Sequence, residues 1–320
     1  MNQIPKPPRP SRRLALGAAL GLVAALSLSA CSGSDPLAPD TPQASGSALD
    51  RPLVVGSADF PESKIIAEIY AGALEGAGIE ATTKPGIGAR EAYVGAVKDG
   101  SADIVPDYSG NLLLYFNPDA TAVSAGDITD ALKDAVPEGL GVLQASKAED
   151  KDSLVVTAAT AEKYDLKSIT DLAKVCGQLE LGAPPEFKER AYGLPGLKSK
   201  YDCTPKAFQP ISDGGGPVTV KALINNEIQV ADIFTTSPAI KDNGLVVLED
   251  PKNNFIAQQV LPLVNAGAVS QQAAEVLNKV SGELSTEDLI ELNGFVSGDA
   301  KLDPADAAAE WLKEKGLDGK

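Results

Sequence analysis

The chain of 320 residues contains no histidine. That absence excludes nucleophilic hydrolysis by a Ser-His-Asp or Cys-His arrangement, and any histidine-ligated metal site. Acid–base chemistry by carboxylates or lysine stays open. Cysteine is almost missing too: only Cys31, Cys176 and Cys203 occur, and no third ligand stands near the last two to suggest a zinc site or a catalytic thiol. Positive charge is scarce, with 28 Lys and Arg against 44 Asp and Glu, for a formal net charge of −16. So acidic a chain repels nucleic acid and anionic headgroups. The excess acid suits a cationic ligand weakly and simple solubility equally well. The apolar run from Leu14 to Leu28 is too short to span a bilayer comfortably, which takes ~20 residues.

What is present begins at the N-terminus. Arg9, Arg12 and Arg13 precede the apolar run, and Leu28-Ser29-Ala30-Cys31 closes it. A positive region, an apolar region and small residues ending in Cys look like a bacterial lipoprotein signal, with removal of residues 1–30 and lipidation of Cys31. The paired Arg12-Arg13 leaves the twin-arginine route open beside the general one. Loss of this segment takes away Lys6 and three arginines and no acid, and leaves a net charge of −20. Residues 31–51, rich in Ser, Pro, Gly and Ala, read as a flexible stalk. The expected location is extracytoplasmic, on the outer face of the cell membrane. There, Cys176 and Cys203 are expected to form a disulfide, with two buried free thiols as the alternative.

Beyond the stalk, short β-branched runs alternate with helical patterns. Leu53–Gly56 reads as a strand. Asp59-Phe60-Pro61-Glu62 reads as a helix start with Asp59 as the cap, and Ile65, Ile69 and Ala73 form an apolar stripe behind it. Further strands are expected near 79–84, 102–105, 154–156, 179–182, 207–211, 230–234 and 245–248. Helices are expected over 90–98, 109–116, 218–225, 271–282, 286–296 and 304–315. This βαβ rhythm predicts an α/β protein with parallel sheets and helices on both faces. Ser101-Ala102-Asp103-Ile104 and Val230-Ala231-Asp232-Ile233, each behind a Gly-rich turn and a helix, hint at two lobes of one plan. In such sheets ligands bind beyond the carboxyl ends of the strands, at Ser57–Pro61, Pro106–Gly110, Pro184–Arg190 and Thr235–Pro238.

Three segments carry a resemblance: Val55-Gly56-Ser57-Ala58-Asp59-Phe60-Pro61-Glu62, Pro106-Asp107-Tyr108-Ser109-Gly110-Asn111 and Ala231-Asp232-Ile233-Phe234-Thr235-Thr236-Ser237-Pro238. Together with the lipobox they resemble the substrate-binding lipoproteins of ABC importers for glycine betaine, choline and related quaternary amines. The resemblance runs from about Leu53 to Trp311. It implies a type II periplasmic-binding-protein fold: two parallel-sheet lobes joined by two crossover segments, with the ligand cleft between them. The crossovers are expected near Ser153–Thr157 and Val260–Val264, which sets lobe 1 at 52–154 plus 262–320 and lobe 2 at 155–261.

The resemblance also implies a non-enzymatic solute binder that works with a membrane permease, as a monomer, without cofactor, metal or nucleic acid. Tyr108 falls on a tyrosine that the family uses to face a methylated cation, for which a π-face is the natural partner. Other family tyrosines are replaced: Asp152-Ser153-Leu154 stands in the first crossover, Ala257-Gln258-Gln259 before the second, and Val218-Thr219-Val220 after the Gly-rich turn. Phe60 and Phe187 are the expected substitute faces. Ser57, Asp59, Asp213, Thr235, Thr236 and Gln258 would add polarity, and Arg190 would meet a ligand carboxylate. The same fold serving another polar or aromatic solute, or an extracellular carboxylate-dependent hydrolase, remains an alternative at this level.

Overall fold

The computed structural model describes residues 51–297 and 301–319. The signal segment, Cys31 and all of the stalk before Arg51 lie outside the described residues. Arg51 itself is tied down, because its guanidinium donates to both oxygens of Asp103, at 2.6 and 2.8 Å.

In chain order the first half contains β1 (Leu53–Ala58), α1 (Pro61–Gly76), β2 (Ala81–Gly88), α2 (Arg90–Asp99), β3 (Ile104–Tyr108), α3 (Ser109–Phe116), α4 (Ala125–Ala135) and β4 (Leu140–Val142). There follow β5 (Leu154–Val156), α5 (Ala158–Tyr164), α6 (Ile169–Val175), β6 (Glu180–Ala183), α7 (Leu194–Tyr201), β7 (Ala207–Pro210), α8 (Pro217–Ile224), β8 (Val230–Asp232), α9 (Pro238–Asp242) and β9 (Val246–Val247). The chain then returns through β10 (Val260–Asn265) and closes with α10 (Gln271–Glu283), α11 (Thr286–Ser297) and α12 (Pro304–Glu314).

The strands form two five-stranded sheets, ordered β2-β1-β3-β10-β4 and β7-β6-β8-β5-β9. The two orders are one plan used twice. In each sheet the first three strands pair in parallel, as βαβ crossovers require. The fourth strand comes from the other half of the chain and runs antiparallel: β10 against β3 and β4, β5 against β8 and β9. The sheets are therefore mixed where an all-parallel arrangement is expected from the βαβ rhythm. The reason is that a strand returning from the other sheet enters from the opposite end.

Sheet membership also bears on the crossovers. Leu154 already pairs with Asp232 in the second sheet, and Val260 with Tyr108 in the first. The segments expected to be passages thus contain ladder strands, and the chain has joined the receiving sheet by Leu154 and by Val260. The repeated Ala-Asp-Ile motif is likewise out of register. Asp103 precedes β3 and holds Arg51, whereas Asp232 ends β8. The true counterpart of Asp232 is Tyr108, since each ends the third strand of its sheet opposite the first residue of the returning strand.

Both faces of the first sheet are covered. On one, Ile65, Ile66, Ile69, Tyr70 and Leu74 of α1 pack with Leu277, Val280, Trp311 and Leu312 of the C-terminal helices. On the other, Tyr93, Val94 and Val97 of α2 meet Leu112, Leu113, Ile128 and Leu132. The second sheet is covered by Leu166, Ile169, Leu172, Leu197 and Tyr201 on one side and by Val220, Leu223 and Ile228 on the other. Cys176 and Cys203 are bonded within the first of these two clusters, with Cα atoms 5.5 Å apart. No helix among the described residues is long and apolar enough to cross a membrane, and no grouping of metal-ligating side chains occurs among them.

Candidate functional site

The carboxyl ends of the parallel strands of both sheets converge on one cavity of about 260 Å³. The turn after β1 supplies Asp59 and Phe60, the turn after β2 supplies Gly88, Ala89 and Arg90, and the end of β3 supplies Tyr108 and Asn111. From the second sheet come Phe187, Arg190 and Tyr192 after β6, Gly214 after β7, and Asp232 with Phe234 at the end of β8. The passage between the sheets adds Asp150 and Asp152. This is where an open α/β sheet leaves its loops free to carry function.

Six aromatic rings face the cavity: Phe60, Tyr93, Tyr108, Phe187, Tyr192 and Phe234. Phe60 lies 6.1 Å from Tyr108 and 5.3 Å, edge-on, from Phe234 of the other sheet. Phe187 stands edge-on to Tyr192 at 6.2 Å. The Tyr108 ring is fixed by its hydroxyl, which donates to Glu62 Oε1 at 2.6 Å. Gly214 permits the approach of the two sides. Its φ is +61°, and a Cβ there would sit 2.9 Å from Phe60 Cβ, so a side chain would both strain the turn and push Phe60 away.

Three carboxyl groups are buried in the wall. Asp150 accepts from the Thr235 hydroxyl at 3.2 Å and from the Thr236 N–H at 3.1 Å. Asp152 accepts from Asn111 Nδ2 at 2.8 Å. Asp232, only 1% exposed, has neither oxygen in a completed hydrogen bond. All three titrate above the usual carboxylate range. For Asp150 the causes are burial and then the charge of Glu62. For Asp152 burial acts against the Asn111 bond and the charges of Arg90 and Arg190. For Asp232 burial is joined by the neighbouring Asp152. A low-dielectric pocket that gathers carboxyls without matching cations favours their neutral forms or an incoming cation.

The two arginines of the wall are already engaged. Arg90 is buried and paired with Asp107, its Nη2 donating to Oδ1 at 2.8 Å and its Nε donating to both oxygens. Arg190 donates to Glu91 at 3.0 Å and to the Tyr192 hydroxyl at 3.1 Å. Since Glu91 belongs to α2 and Arg190 follows β6, that ion pair joins the two sides of the cleft.

Of the residues expected from sequence, Tyr108, Phe60, Asp59, Phe187 and Arg190 line the cavity. Asp59 pairs with Lys64 and does not cap α1, whose cap position is Phe60 with no side-chain bond. Helix α1 starts at Pro61 because proline needs no N–H partner there. The remaining residues stand behind the wall. Ser57 Oγ donates to Ala58 O and accepts from Gly86 N, shaping the turns after β1 and β2. Asp213 takes the Val218 and Thr219 N–H groups and the Thr219 hydroxyl at the start of α8. Thr235 and Thr236 hold Asp150, and Thr236 Oγ1 also donates to Glu62 at 2.6 Å. Gln258 exchanges two bonds with Asn111. These five are supports rather than lining residues.

The sequence reading does not single out Arg90, Tyr93, Asp150, Tyr192, Asp232 or Phe234. Two signals were available. Asp152 occupies the crossover position where a tyrosine is expected, and Asp232 ends the second lobe's third strand as Tyr108 ends the first's.

Comparison with known proteins agrees with this geometry. The OpuAC family, described as the substrate-binding domain of ABC-type glycine betaine transport systems, matches residues 51–314. The glycine betaine-binding protein YehZ of Escherichia coli (strain K12) is 29% identical over 278 residues, which cover 83% of this chain and 91% of that protein. The ligand-free structure of YehZ aligns with a TM-score of 0.58 at 27% identity, over 83% of this chain and 99% of that one. A crystal structure of a glycine betaine/carnitine/choline ABC transporter aligns over 83% of this chain and 99% of its own, with a TM-score of 0.65 at 24% identity, a likeness of fold. The ergothioneine transport permease/ergothioneine binding protein EgtU of Helicobacter pylori (strain G27) is 24% identical over 84% of this chain, which spans 48% of that protein.

Proposed function

This chain belongs to the family of substrate-binding domains of ABC-type glycine betaine transport systems, and on that premise we propose that its cleft captures a quaternary amine. It is a substrate-binding protein of an importer and not an enzyme, so the carboxylate-dependent hydrolase considered from sequence falls away. One observation carries the ligand class: six aromatic rings and three buried carboxyls face a single cavity whose two arginines are already paired. Methylated ammonium has no N–H to donate. It is held by ring faces and by nearby negative charge, and a desolvated cation–π contact contributes about 2 kcal/mol. Arg90 and Arg190, on opposite sides of the cleft and each paired with a protein carboxylate, still add positive potential that suits a carboxylate at the far end of a zwitterion.

The test is calorimetry on the purified protein with glycine betaine, choline, carnitine and proline betaine, beside sugars and phenolics. Binding of at least one quaternary amine is expected. A response only to uncharged solutes would overturn the reading. In Tyr108→Ala, affinity for the bound amine should fall by about 1–2 kcal/mol through the lost ring face.

The location is part of the same proposal. Cys31, lipidated after removal of residues 1–30, would tether a monomeric binding protein to the outer face of the membrane. There a stalk raises its effective concentration at the permease. The Cys176–Cys203 bond suits such an oxidising compartment. Cys31→Ser should leave the membrane fraction; its retention there would remove the lipid tether from the proposal.

A further inference from the structure

The aromatic walls account for a methylated cation, but not for Asp232. This side chain lines the cavity, is 1% exposed, and has no completed hydrogen bond to either carboxyl oxygen. A buried acceptor without a partner is costly, and far costlier when charged. Its surroundings explain why the protein leaves it so. Asp232 pairs in register with Leu154, and Asp152 lies two residues before Leu154, so alternation puts both aspartates on one side of the ladder as diagonal neighbours. Both Asp232 oxygens are without a hydrogen-bond partner, and the neighbouring Asp152 adds to burial in favouring the protonated form of Asp232. Asp150, with Glu62 behind it, adds negative charge on the same side. The positive groups facing this cluster are Arg90, held by Asp107, and Arg190, held by Glu91. Tyr192 faces it as well.

Two adjacent carboxyls of this kind are compatible only if they share a proton or meet a donor from outside. A proton held between them satisfies their inner oxygens and leaves the outer ones as strong acceptors buried in the cavity wall. Asn111 already fills one such position on Asp152; nothing fills those on Asp232.

We propose that Asp232, with Asp152 beside it, is a specificity-determining acceptor pair that takes an N–H or O–H donor from the ligand, at a point separate from the ring faces that hold its methylated cation. The inference rests on the quaternary-amine reading and narrows it. A ligand bearing both a methylated ammonium and a hydroxyl or N–H is preferred over a fully methylated one with no donor. Tyr108 and Asp232, the ends of the third strands of the two sheets, then read the two features from opposite sides of the cleft.

The experiment compares ligands that differ only in the donor: choline with its methyl ether, and carnitine with its O-acetyl ester, alongside glycine betaine, which has no donor at neutral pH. Each is titrated calorimetrically into the wild-type protein, Asp232→Ala and Asp232→Asn. In the wild type the hydroxyl-bearing member of a pair should bind at least about tenfold tighter than its capped partner, as loss of a bond to a buried charged acceptor requires. In Asp232→Ala that ratio should fall below about threefold. Should the alanine variant fail to fold, Asp232→Asn carries the test. It matches the shape, and its amide N–H serves an ether oxygen, so the ratio should collapse there too. Equal affinities within each pair, a ratio that survives both substitutions, or glycine betaine binding more tightly than every hydroxylated ligand would overturn the inference while leaving the quaternary-amine reading intact. Failure of all these amines to bind would overturn that reading, and the inference with it.

Discussion

At the scale of single residues the cleft is an electrostatic problem before it is a shape. Asp150, Asp152 and Asp232 all titrate above the usual carboxylate range, chiefly through burial. Their folded pKa values exceed the unfolded ones, so between the two the folded state holds more protons. The stability they contribute is full below the unfolded value of about 3.9 and is lost as pH rises through the folded values. Asp171 acts in the opposite sense. It is held down to about 2 by Lys174 and Ser168, so its contribution is present above the unfolded value and is lost only as pH falls below it. The two windows therefore do not overlap. The melting temperature of the ligand-free protein should fall as pH rises from about 5 to neutrality. Asp232→Asn should flatten that fall and melt higher than the wild type at neutral pH. Parallel curves for the two proteins in thermal denaturation would show that Asp232 does not titrate differently on folding. This part of the site was not legible in the sequence for a physical reason: among 44 acidic residues, three carboxyls carry no contrast until burial distinguishes them. Tyr108 and Phe60 were legible because they stand at strand ends in loops with a recognisable pattern. Tyr93 sits inside α2 and reads as an ordinary helix residue until the cleft places it.

At the scale of elements, the βαβ segments were readable because their strands are short apolar runs between periodic helices. Helix α3 starts at Ser109, and the last three helices lie within a residue or so of expectation. The second lobe was harder to read. Its helices α5 and α6 span seven residues each and α7 eight, too short for periodicity to show and too short to be stable alone. They persist through packing, through caps such as Ser168, whose hydroxyl accepts from the Asp171 N–H while Asp171 accepts from the Ser168 N–H, and through the Cys176–Cys203 bond. That bond joins the end of α6 to the chain just after α7 across a separation of 27 residues. On the chain-entropy account a loop of this size contributes about 3–4 kcal/mol by restricting the unfolded chain. Replacing both cysteines by alanine should therefore lower unfolding stability in urea by about 2–4 kcal/mol while leaving the secondary structure intact. An unchanged midpoint and slope would mean that α6 and α7 hold together by packing alone. The passages between the sheets are hard to bound from sequence for a related reason. A run such as Leu154-Val155-Val156 announces a strand but not which sheet receives it, and only the ladder partner decides that.

At the scale of the whole molecule, the two sheets are joined by few direct bonds, and these surround the cleft. Thr236, after β8 of the second sheet, donates through its hydroxyl to Glu62 of α1, and Asn293 of α11 donates to the same carboxylate at 2.6 Å and to the Thr236 hydroxyl at 3.1 Å. Tyr108 completes the group from below, so one buried glutamate links the ring that faces the cavity to the loop of the opposite sheet. The Arg190–Glu91 pair makes a second link at the cleft. A two-lobed binding protein populates open and closed arrangements, and a ligand held between the lobes binds in proportion to the closed fraction. Contacts made only in the closed arrangement therefore set the affinity without touching the ligand. Thr236→Val keeps the shape and removes the hydroxyl, while the backbone bond from Thr236 to Asp150 remains. The loss of one buried hydrogen bond to a charged group, about 1.5 kcal/mol, should weaken amine binding roughly tenfold. It should also enlarge the ligand-free protein in small-angle X-ray scattering, with the wild-type dimensions restored at saturating ligand. Weaker binding with unchanged dimensions would place the effect of Thr236 on Asp150 and the cavity wall. An unchanged affinity together with unchanged dimensions would show that Glu62 serves only to hold Tyr108, and that closure is governed by the Arg190–Glu91 pair and the ligand itself.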